Sequence, residues 1–302
     1  MKSLRIIQHK DIDRALFNQC VNRYSKNDLY AQDFVWDALH PKWDLLVFGD
    51  YKALVPLPTK RKMGLVSYRQ PIFIRTVPVI GDIAEEEEEL KEILKWFEEN
   101  ASLIHLNLNL NREVSDNDKG IYQLIQFKED MGDYRARYSS NVKRILKKKV
   151  KNLTMNELED VDFFISFFRD HVGSKHKQIK DKSYAFLYNW ISSSINKGIG
   201  KIKTVAINNR IICMAFVIDF RDTRYYIKGA SSDLAKKCGA MTHLLDQLIT
   251  EAHNKGFKKF DFVGSNDSNL ILFNKKFGAS VYHYEILKRN NLLWPLNKLI
   301  SP

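Results

Sequence analysis

The fold is decided by one stretch of the chain, residues 224–279, which reads RYYIKGASSDLAKKCGAMTHLLDQLITEAHNKGFKKFDFVGSNDSNLILFNKKFGA. Its first residues alternate as in a strand, and a short basic turn at residues 236–239 leads into a helix with apolar residues at helical spacing. Those apolar residues are Leu244, Leu245, Leu248, Ile249 and Ala252. Gly256 ends the helix, a strand follows at residues 260–263, and a shorter helix ends at Gly278. Because a strand, a glycine-bearing turn and a helix N-terminus together suit a phosphate, we expect an anion site here.

The order of elements beyond residue 152 predicts an α/β fold. It runs strand, two helices, three antiparallel strands, helix, strand, helix, strand, which is typical of a mixed sheet flanked by helices. The first of those helices, at residues 157–172, is expected to start with a capping pair, Asn156 and Glu159. Nearer the N-terminus, Gly49 and Asp50 predict a hairpin turn.

The length of the chain, 302 residues, is more than one core usually accommodates, so we expect two domains. Residues 1–138 form the predicted first domain, residues 139–152 a basic connecting helix, and residues 153–302 the second domain. Residues 292–302 are expected to form a tail that packs on the protein.

The net charge of +12 and the pI of about 9.4 predict attraction to anions. Cations concentrate between Lys143 and Lys151, on a helix with one apolar stripe. Such a surface suits a phosphate or nucleic acid, and it equally suits a solvated connecting helix. No aromatic residue interrupts the run to stack on a base, which disfavours sequence-specific binding of single-stranded RNA.

Other classes of protein are excluded by composition. The longest apolar run, residues 211–218, is far shorter than a membrane-spanning helix, and the N-terminus lacks an apolar secretory segment. The three cysteines, Cys20, Cys213 and Cys238, are too few and too scattered for a disulfide framework or a zinc site. We therefore expect a cytoplasmic protein with reduced thiols, no membrane span and no metal.

Three stretches resemble the GNAT acyltransferase superfamily and, within it, the two-domain Fem-type bacterial enzymes. The first is similar to the basic helix that precedes their second lobe and reads Ser139-x-Asn141-x-Lys143-Arg144-Ile145. The second lies where GNAT proteins have a pyrophosphate-binding loop and reads Lys236-Lys237-Cys238-Gly239-Ala240-Met241. The third resembles a GNAT and Fem helix end and reads Asn269-x-x-x-Phe273-Asn274-Lys275-Lys276-Phe277-Gly278-Ala279.

The resemblance implies tandem GNAT-like lobes, each a mixed and mostly antiparallel sheet flanked by helices, with a degenerate first lobe. It further implies an N-acyltransferase that moves an acyl group from acetyl-CoA or another acyl-CoA to an amine, derived from an amino sugar or a peptide. The cofactor-binding residues would be Lys236, Lys237, Cys238, Gly239, Ala240 and Asn269. Three positions depart from the family pattern. Lys236 replaces an arginine or glutamine, Met241 replaces the final small residue of the loop, and Asn274 replaces a tyrosine or lysine.

Candidate catalytic residues are Tyr226, Asp261 and Asn274. Tyr226 lies on the strand that would offer backbone donors to the acyl carbonyl, and alternation predicts that Tyr226 and Lys228 share a face. Asp261 lies in the middle of its strand, where it is either the proton acceptor for the amine or a buried partner of a local cation. Asn274 takes the position of the family's acid.

Two other functions remain open at this point. A Fem-like enzyme would take its aminoacyl group from a charged tRNA, bound through Lys143 to Lys151, and the affinity would fall steeply with salt. A non-catalytic GNAT-like module would bind an anionic ligand without turnover. The sequence does not choose between these donors, nor does it give the acceptor or the oligomeric state.

Overall fold

The computed structural model describes residues 4–82, 87–110, 119–128, 130–148, 150–264 and 267–299. The chain divides into two compact units, of which unit 1 comprises Met1–Gly120 with His283–Pro302, and unit 2 comprises Ile121–Tyr282. Unit 1 is therefore discontinuous, because the end of the chain returns to it. The division expected at residues 139–152 stays a prediction, and the described residues of that segment lie within unit 2.

Unit 1 contains two groups of paired strands. Up to residue 110 its elements are β1 (Leu4–Ile7), α1 (Arg14–Tyr24), α2 (Asp33–Leu39), β2 (Asp44–Phe48), β3 (Ala53–Leu57), β4 (Thr59–Lys62), β5 (Leu65–Arg69), β6 (Val77–Pro78), β7 (Ile80–Gly81), α3 (Glu87–Asn100) and β8 (Leu103–Asn109). Strands β1, β2, β3 and β7 pair in that order, all antiparallel. The β2–β3 pair is the hairpin predicted from Gly49 and Asp50.

Unit 2 is built on a mixed sheet. In chain order the next elements are β9 (Lys119–Gln126), α4 (Met131–Ala136), α5 (Ser140–Lys147), β10 (Leu153–Leu158), α6 (Val161–His171), α7 (Asp181–Asn196), β11 (Gly200–Ile207), β12 (Arg210–Phe220), β13 (Thr223–Ser231), α8 (Asp233–Cys238), α9 (Ala240–Asn254), β14 (Lys259–Asp261) and α10 (Ser268–Lys275). Strands β10 to β13 are antiparallel, β13 and β14 are parallel, and β14 and β9 are antiparallel. This arrangement confirms the predicted α/β class.

The chain ends with β15 (Ser280–Asn290) and α11 (Leu296–Leu299). In unit 1, β15 pairs with β8 in antiparallel fashion, β8 pairs with β5 in parallel, and β5 pairs with β4. None of the helices in the described part of the chain is long and apolar enough to cross a membrane.

Helix α9 buries the apolar face predicted from its spacing. Its residues Leu244, Leu245, Leu248, Ile249 and Ala252 are each at most 1% exposed. They pack in one cluster with Cys213, Ala215 and Val217 of β12. Because removing apolar surface from water stabilises the fold by roughly 25 cal/mol per Å², this face fixes α9 against the sheet.

The predicted capping pair at the start of α6 is wrong. Strand β10 continues to Leu158, where it pairs with Ile202, so Asn156 lies inside the strand. Asp160 is the actual N-cap and accepts a hydrogen bond of 2.8 Å from the backbone N–H of Phe163. Asparagine and aspartate both suit this position, and the sheet pairing decides which of them occupies it.

A buried charged network lies at the C-terminal half of α9. The guanidinium of Arg224, which is 0% exposed, donates to both oxygens of Asp219 at 2.6 and 2.7 Å. It also donates to Glu251 at 3.3 Å and to the carbonyl of Leu248 at 3.2 Å. Lys203 pairs with Glu251 at 3.1 Å. The charges are matched, so this network holds β13 to α9.

Candidate functional site

Strands β13 and β14 form a short parallel pair and then separate. Pairing covers Thr223 with Lys259, Arg224 with Phe260, and Tyr225 with Asp261. Strand β13 then continues to Ser231, whereas β14 ends and the chain turns away at Val263 and Gly264, both at positive φ. Among the described residues no strand pairs with β13 on this side beyond Tyr225. The separation exposes backbone donors and acceptors of β13 in a cleft between parallel strands, a usual position for a ligand.

A β-bulge lies at the start of this cleft. Tyr226 is opposite Val217 and Lys228 is opposite Phe216, so Ile227 is the extra residue. Directly opposed residues share a face of the sheet, and Val217 and Phe216 are neighbours that point to opposite faces. The prediction that Tyr226 and Lys228 share a face is therefore wrong. A bulge at a site commonly redirects a side chain in this way.

Tyr226 lies on the face that packs against α9. Its hydroxyl donates to the sulfur of Met241 at 3.4 Å, and its ring contacts that of Phe262. Burial raises the pKa of this phenol well above its usual range. The hydroxyl therefore stays protonated at neutral pH and can donate a hydrogen bond to a developing negative charge.

Lys228 lies on the opposite face of the sheet, beyond the bulge. Phe216, its partner across the strands, packs against the rings of Phe164 and Trp190. Burial lowers the pKa of Lys228 to about 8, because the charged ammonium is poorly solvated there. A measurable fraction of this amine is neutral at physiological pH. The sequence signal for it is a single lysine within the apolar strand YYIKGA.

Asp261 shares a face with Lys228. Asp261 pairs with Tyr225, Tyr225 is opposite Ile218, and Ile218 and Phe216 alternate to the same side. The Asp261 carboxylate is 3% exposed and accepts the backbone N–H of Val263 at 2.7 Å. It therefore helps to turn the chain away from β13, and its proposed function as proton acceptor stays a prediction.

The predicted pyrophosphate turn contains a helix. Lys236, Lys237 and Cys238 belong to α8, and the N–H of Gly239 bonds back to carbonyls of that helix. Gly239 has φ +73° and joins α8 to α9. A Cβ at this glycine would lie 2.6 Å from Cγ2 of Ile145 on α5. Ile145 therefore packs against the Cα of this turn, and the pyrophosphate-binding function predicted for the turn stays a prediction.

A cavity of about 260 Å³ lies beside this turn. It brings together Tyr226 and Lys236 of the predicted site with Met241. Its other lining residues are His171, Val172, Lys175, His176, Gly229, Ser231, Leu270 and Phe273. The cavity therefore combines an apolar floor with cationic or titratable side chains, a composition that suits an acyl chain next to an anionic group.

Other predicted site residues lie outside this cavity. Asn274 is 2% exposed, and its amide donates to Gln123 of β9 at 3.1 Å. Asn269 is exposed in the first turn of α10, where its N–H bonds to Asp267. Lys237 is exposed on α8. Their predicted functions stay predictions. Within the described parts of the chain no cluster of His, Cys, Asp and Glu could hold a metal ion.

Part of unit 2 matches a known protein family. Residues 132–269 match the family model described as "Acetyltransferase (GNAT) domain". These residues therefore form a GNAT domain, of the acyltransferase class of enzymes, which confirms for this part of the chain the superfamily recognised from the sequence. The comparison with curated proteins found no match.

Solved structures resemble the whole chain in fold. FemX has 13% identity and a TM-score of 0.62, with 99% of each chain covered. A putative lysylphosphatidylglycerol synthetase domain from Agrobacterium fabrum has 10% identity and a TM-score of 0.57, covering 91% of this chain and 92% of that one. A tandem GNAT protein of clavulanic acid biosynthesis has 6% identity and a TM-score of 0.56, covering 96% and 99%. These likenesses confirm the tandem, Fem-like fold.

Proposed function

We propose that this protein transfers an aminoacyl group from a charged tRNA to an amine, in the cleft where β13 leaves β14. The observation that carries the choice of donor is the contact of Ile145 with Gly239. It packs α5, a helix rich in cations, against the turn where the donor's phosphates would bind. The donor end of the site is therefore better suited to a large polyanion than to a linear nucleotide.

The cations around this contact support a polyanionic donor. Lys143, Arg144, Lys147 and Lys148 are exposed on or just after α5, and Lys236 and Lys237 are exposed on α8. Lys143 and Arg144 donate to Ala136 and Asn141, whereas Lys236 pairs with Asp233 at 2.8 Å. Phosphate neutralisation by several such cations gives strong, salt-dependent binding.

The reaction is aminolysis of an ester. The amine nitrogen attacks the carbonyl carbon, the C–N bond forms, the bond to the ribose oxygen breaks, and the released hydroxyl takes up a proton equivalent to the one the ammonium loses. Backbone N–H groups of β13 beyond Tyr225 and the protonated hydroxyl of Tyr226 would stabilise the oxyanion. The attacking amine would reach the carbonyl at the open edge of β13, where Lys228, on the other face from Tyr226, is the proposed acceptor of its proton.

The acceptor is proposed to be an amine that also bears a negative charge. His171, Lys175, His176 and Lys236 line the same cavity as Tyr226. An amino-sugar phosphate or a peptide carboxylate offers both an amine and an anion. The family expectation of an amino-sugar or peptide acceptor is consistent with this composition.

Binding of unfractionated tRNA at low salt tests the donor. We expect binding that weakens steeply between about 50 and 200 mM salt, and no change of melting temperature with millimolar CoA or acetyl-CoA. The charge reversal Lys236→Glu with Lys237→Glu should weaken binding, whereas the matched reversal Lys26→Glu with Lys42→Glu on unit 1 should not. Undetectable tRNA binding at low salt would eliminate this donor.

An acyl-CoA donor is the second candidate. The separation of β13 from β14 favours it, because the cleft suits an extended chain, and the family model for residues 132–269 carries the description of an acetyltransferase. This candidate predicts a rise of melting temperature at CoA concentrations well above its dissociation constant. A CoA-dependent rise without tRNA binding would replace the first proposal by this one.

A further inference from the structure

The three most exposed large hydrophobic side chains of the described residues all belong to unit 1. They are Met63 at 91%, Leu293 at 83% and Trp294 at 75%. Met63 lies in the turn between β4 and β5, and Leu293 and Trp294 follow β15. Exposure of single apolar residues is ordinary, but a tryptophan this exposed next to a leucine indicates an interaction.

Strand register places these side chains at the same end of one sheet. Leu103 of β8 pairs with Asn290 of β15 on one side and with Ser67 of β5 on the other. One residue further, the N–H of Asn291 bonds to Ser102 at 3.0 Å, and the N–H of Ser102 bonds to Val66 at 2.8 Å. Just past these hydrogen-bonded residues lie the turn between β4 and β5, which contains Met63, and Leu293, which follows β15. We call this surface, Met63 with Leu293 and Trp294, the apolar tip.

The backbone around the apolar tip is held in place. Leu292 is 7% exposed, and the side chain of Asn291 donates to the carbonyls of Glu98 and Ala101 at 2.7 and 3.0 Å. The side chain of Asn290 donates to the carbonyl of Asn297 at 2.9 Å, which closes the loop. The prediction that the tail packs on the protein therefore holds for Leu292 and is wrong for Trp294. The loop presents its two apolar side chains outward.

Cations flank the apolar tip. Lys60 and Lys62 are exposed on β4 and Lys298 is exposed on α11, and within the described residues none of the three forms an ion pair. The acids nearby are already paired, Glu98 with Arg289 at 3.1 Å and Glu99 with Lys95 at 3.6 Å. The surface around the tip is therefore positive.

We propose that the apolar tip docks on an anionic lipid bilayer. Tryptophan favours the interface between headgroups and acyl chains, and each nearby lysine adds electrostatic attraction to an anionic surface. A few separate apolar side chains ringed by cations match a lipid surface better than a protein groove, which would need a continuous apolar patch. This inference concerns unit 1 and stands independently of the proposed donor.

Vesicle binding with the full-length protein tests the proposal. Trp294 is the most exposed of the five tryptophans, because Trp36, Trp43 and Trp190 are 0% exposed and Trp96 is half-buried against Tyr68 and Phe97. The part of the fluorescence change that depends on Trp294 therefore reports insertion. With vesicles of phosphatidylcholine containing one third phosphatidylglycerol, we expect co-sedimentation and a blue shift of tryptophan emission that Trp294→Phe abolishes. Vesicles of phosphatidylcholine alone should bind at least tenfold more weakly. Equal binding to both vesicles overturns the proposal.

Matched variants separate docking from misfolding and from self-association. Leu293→Ser with Trp294→Ser should reduce binding about tenfold or more, whereas Leu16→Ser, on α1 of the same unit, should not. Lys60→Glu, Lys62→Glu and Lys298→Glu together should weaken binding on the order of 100-fold, and Lys10→Glu, Lys26→Glu and Lys42→Glu should weaken it far less. The proposal is wrong if the tip variants bind vesicles normally. It is also wrong if the unaltered protein does not bind vesicles and is instead a dimer that the tip variants dissociate.

Discussion

The two halves of β13 use buried charge in opposite ways. Before the bulge, Arg224 is enclosed, and carboxylates of Asp219 and Glu251 bond to its guanidinium. Burial alone would lower the pKa of Arg224, but these bonds raise it, so the residue is a fixed cation. After the bulge, burial lowers the pKa of Lys228 to about 8. Where β13 is paired on both sides, the charge of Arg224 is neutralised and the residue is structural. Where β13 has an unpaired edge, the titrating amine of Lys228 is suited to chemistry.

The largest effect is expected before the bulge. Arg224→Met should destabilise unit 2 by about 3 kcal/mol, because the half-buried carboxylate of Asp219 would lose its partner and Glu251 would keep only Lys203. Urea unfolding measures this change, and Arg210→Met, an exposed arginine of the same sheet, is the control. A loss below about 1 kcal/mol would show that the network contributes little and would remove the structural half of the comparison.

The second effect is expected after the bulge, at Lys228. If Lys228 accepts the amine proton, the transfer rate rises with pH through about 8, because the protonated amine below that pH cannot act as a base. Lys228→Met should lower the rate by roughly 100-fold or more with little loss of stability. Lys228→Arg keeps the charge but cannot become neutral, so it should be equally inactive.

The protonation of Lys228 can also be measured without the acceptor substrate. Acetylation by acetic anhydride across a pH series, read by peptide mass spectrometry, should show this amine reacting with an apparent pKa near 8. Surface lysines should titrate near about 10.4. An active Lys228→Arg variant, or a Lys228 that titrates with the surface lysines, would contradict its function as a base.

The third effect concerns the contact of α5 with the turn. Gly239→Ala should cost about 2 kcal/mol, because a Cβ would meet Ile145 and the residue has positive φ. Gly198→Ala is the matched control, since Gly198 has φ +71° with nothing within 4 Å of an added Cβ. Ile145→Ala combined with Gly239→Ala should remove the extra loss of stability by which Gly239→Ala exceeds Gly198→Ala. Equal costs at both glycines would show that α5 does not cover the turn.

The smallest effect is expected at the exposed cations. Lys236→Glu with Lys237→Glu should reduce tRNA affinity about tenfold, flatten its salt dependence and leave the melting temperature nearly unchanged. Titration of labelled tRNA at two salt concentrations measures this. A large loss of stability with unchanged affinity would assign these lysines to the fold instead.

Local patterns in the sequence predicted the elements of unit 2 because each depends on neighbours in the chain. The apolar spacing of α9 and the hairpin at Gly49 and Asp50 are examples of such local signals. The order of these elements, together with the three motifs quoted for the resemblance, was enough to recognise the superfamily.

Contacts between residues far apart in the chain determine the features that the sequence did not predict. The bulge at Ile227 depends on register with β12, so strict alternation gave the wrong face for Lys228. The contact of Ile145 with Gly239 joins residues far apart in the chain, and no local sequence pattern predicts it. The same holds for Asn274, whose amide bonds to Gln123 across unit 2.

Parallel measurements of tRNA binding and of CoA binding test the central claim most directly. Purified protein would be titrated with labelled tRNA at low and at physiological salt, and its melting temperature would be followed in parallel with millimolar CoA. We expect tRNA binding that weakens steeply with salt and a melting temperature that CoA leaves unchanged. A melting temperature that CoA raises, in a protein that binds no tRNA at low salt, would contradict the account.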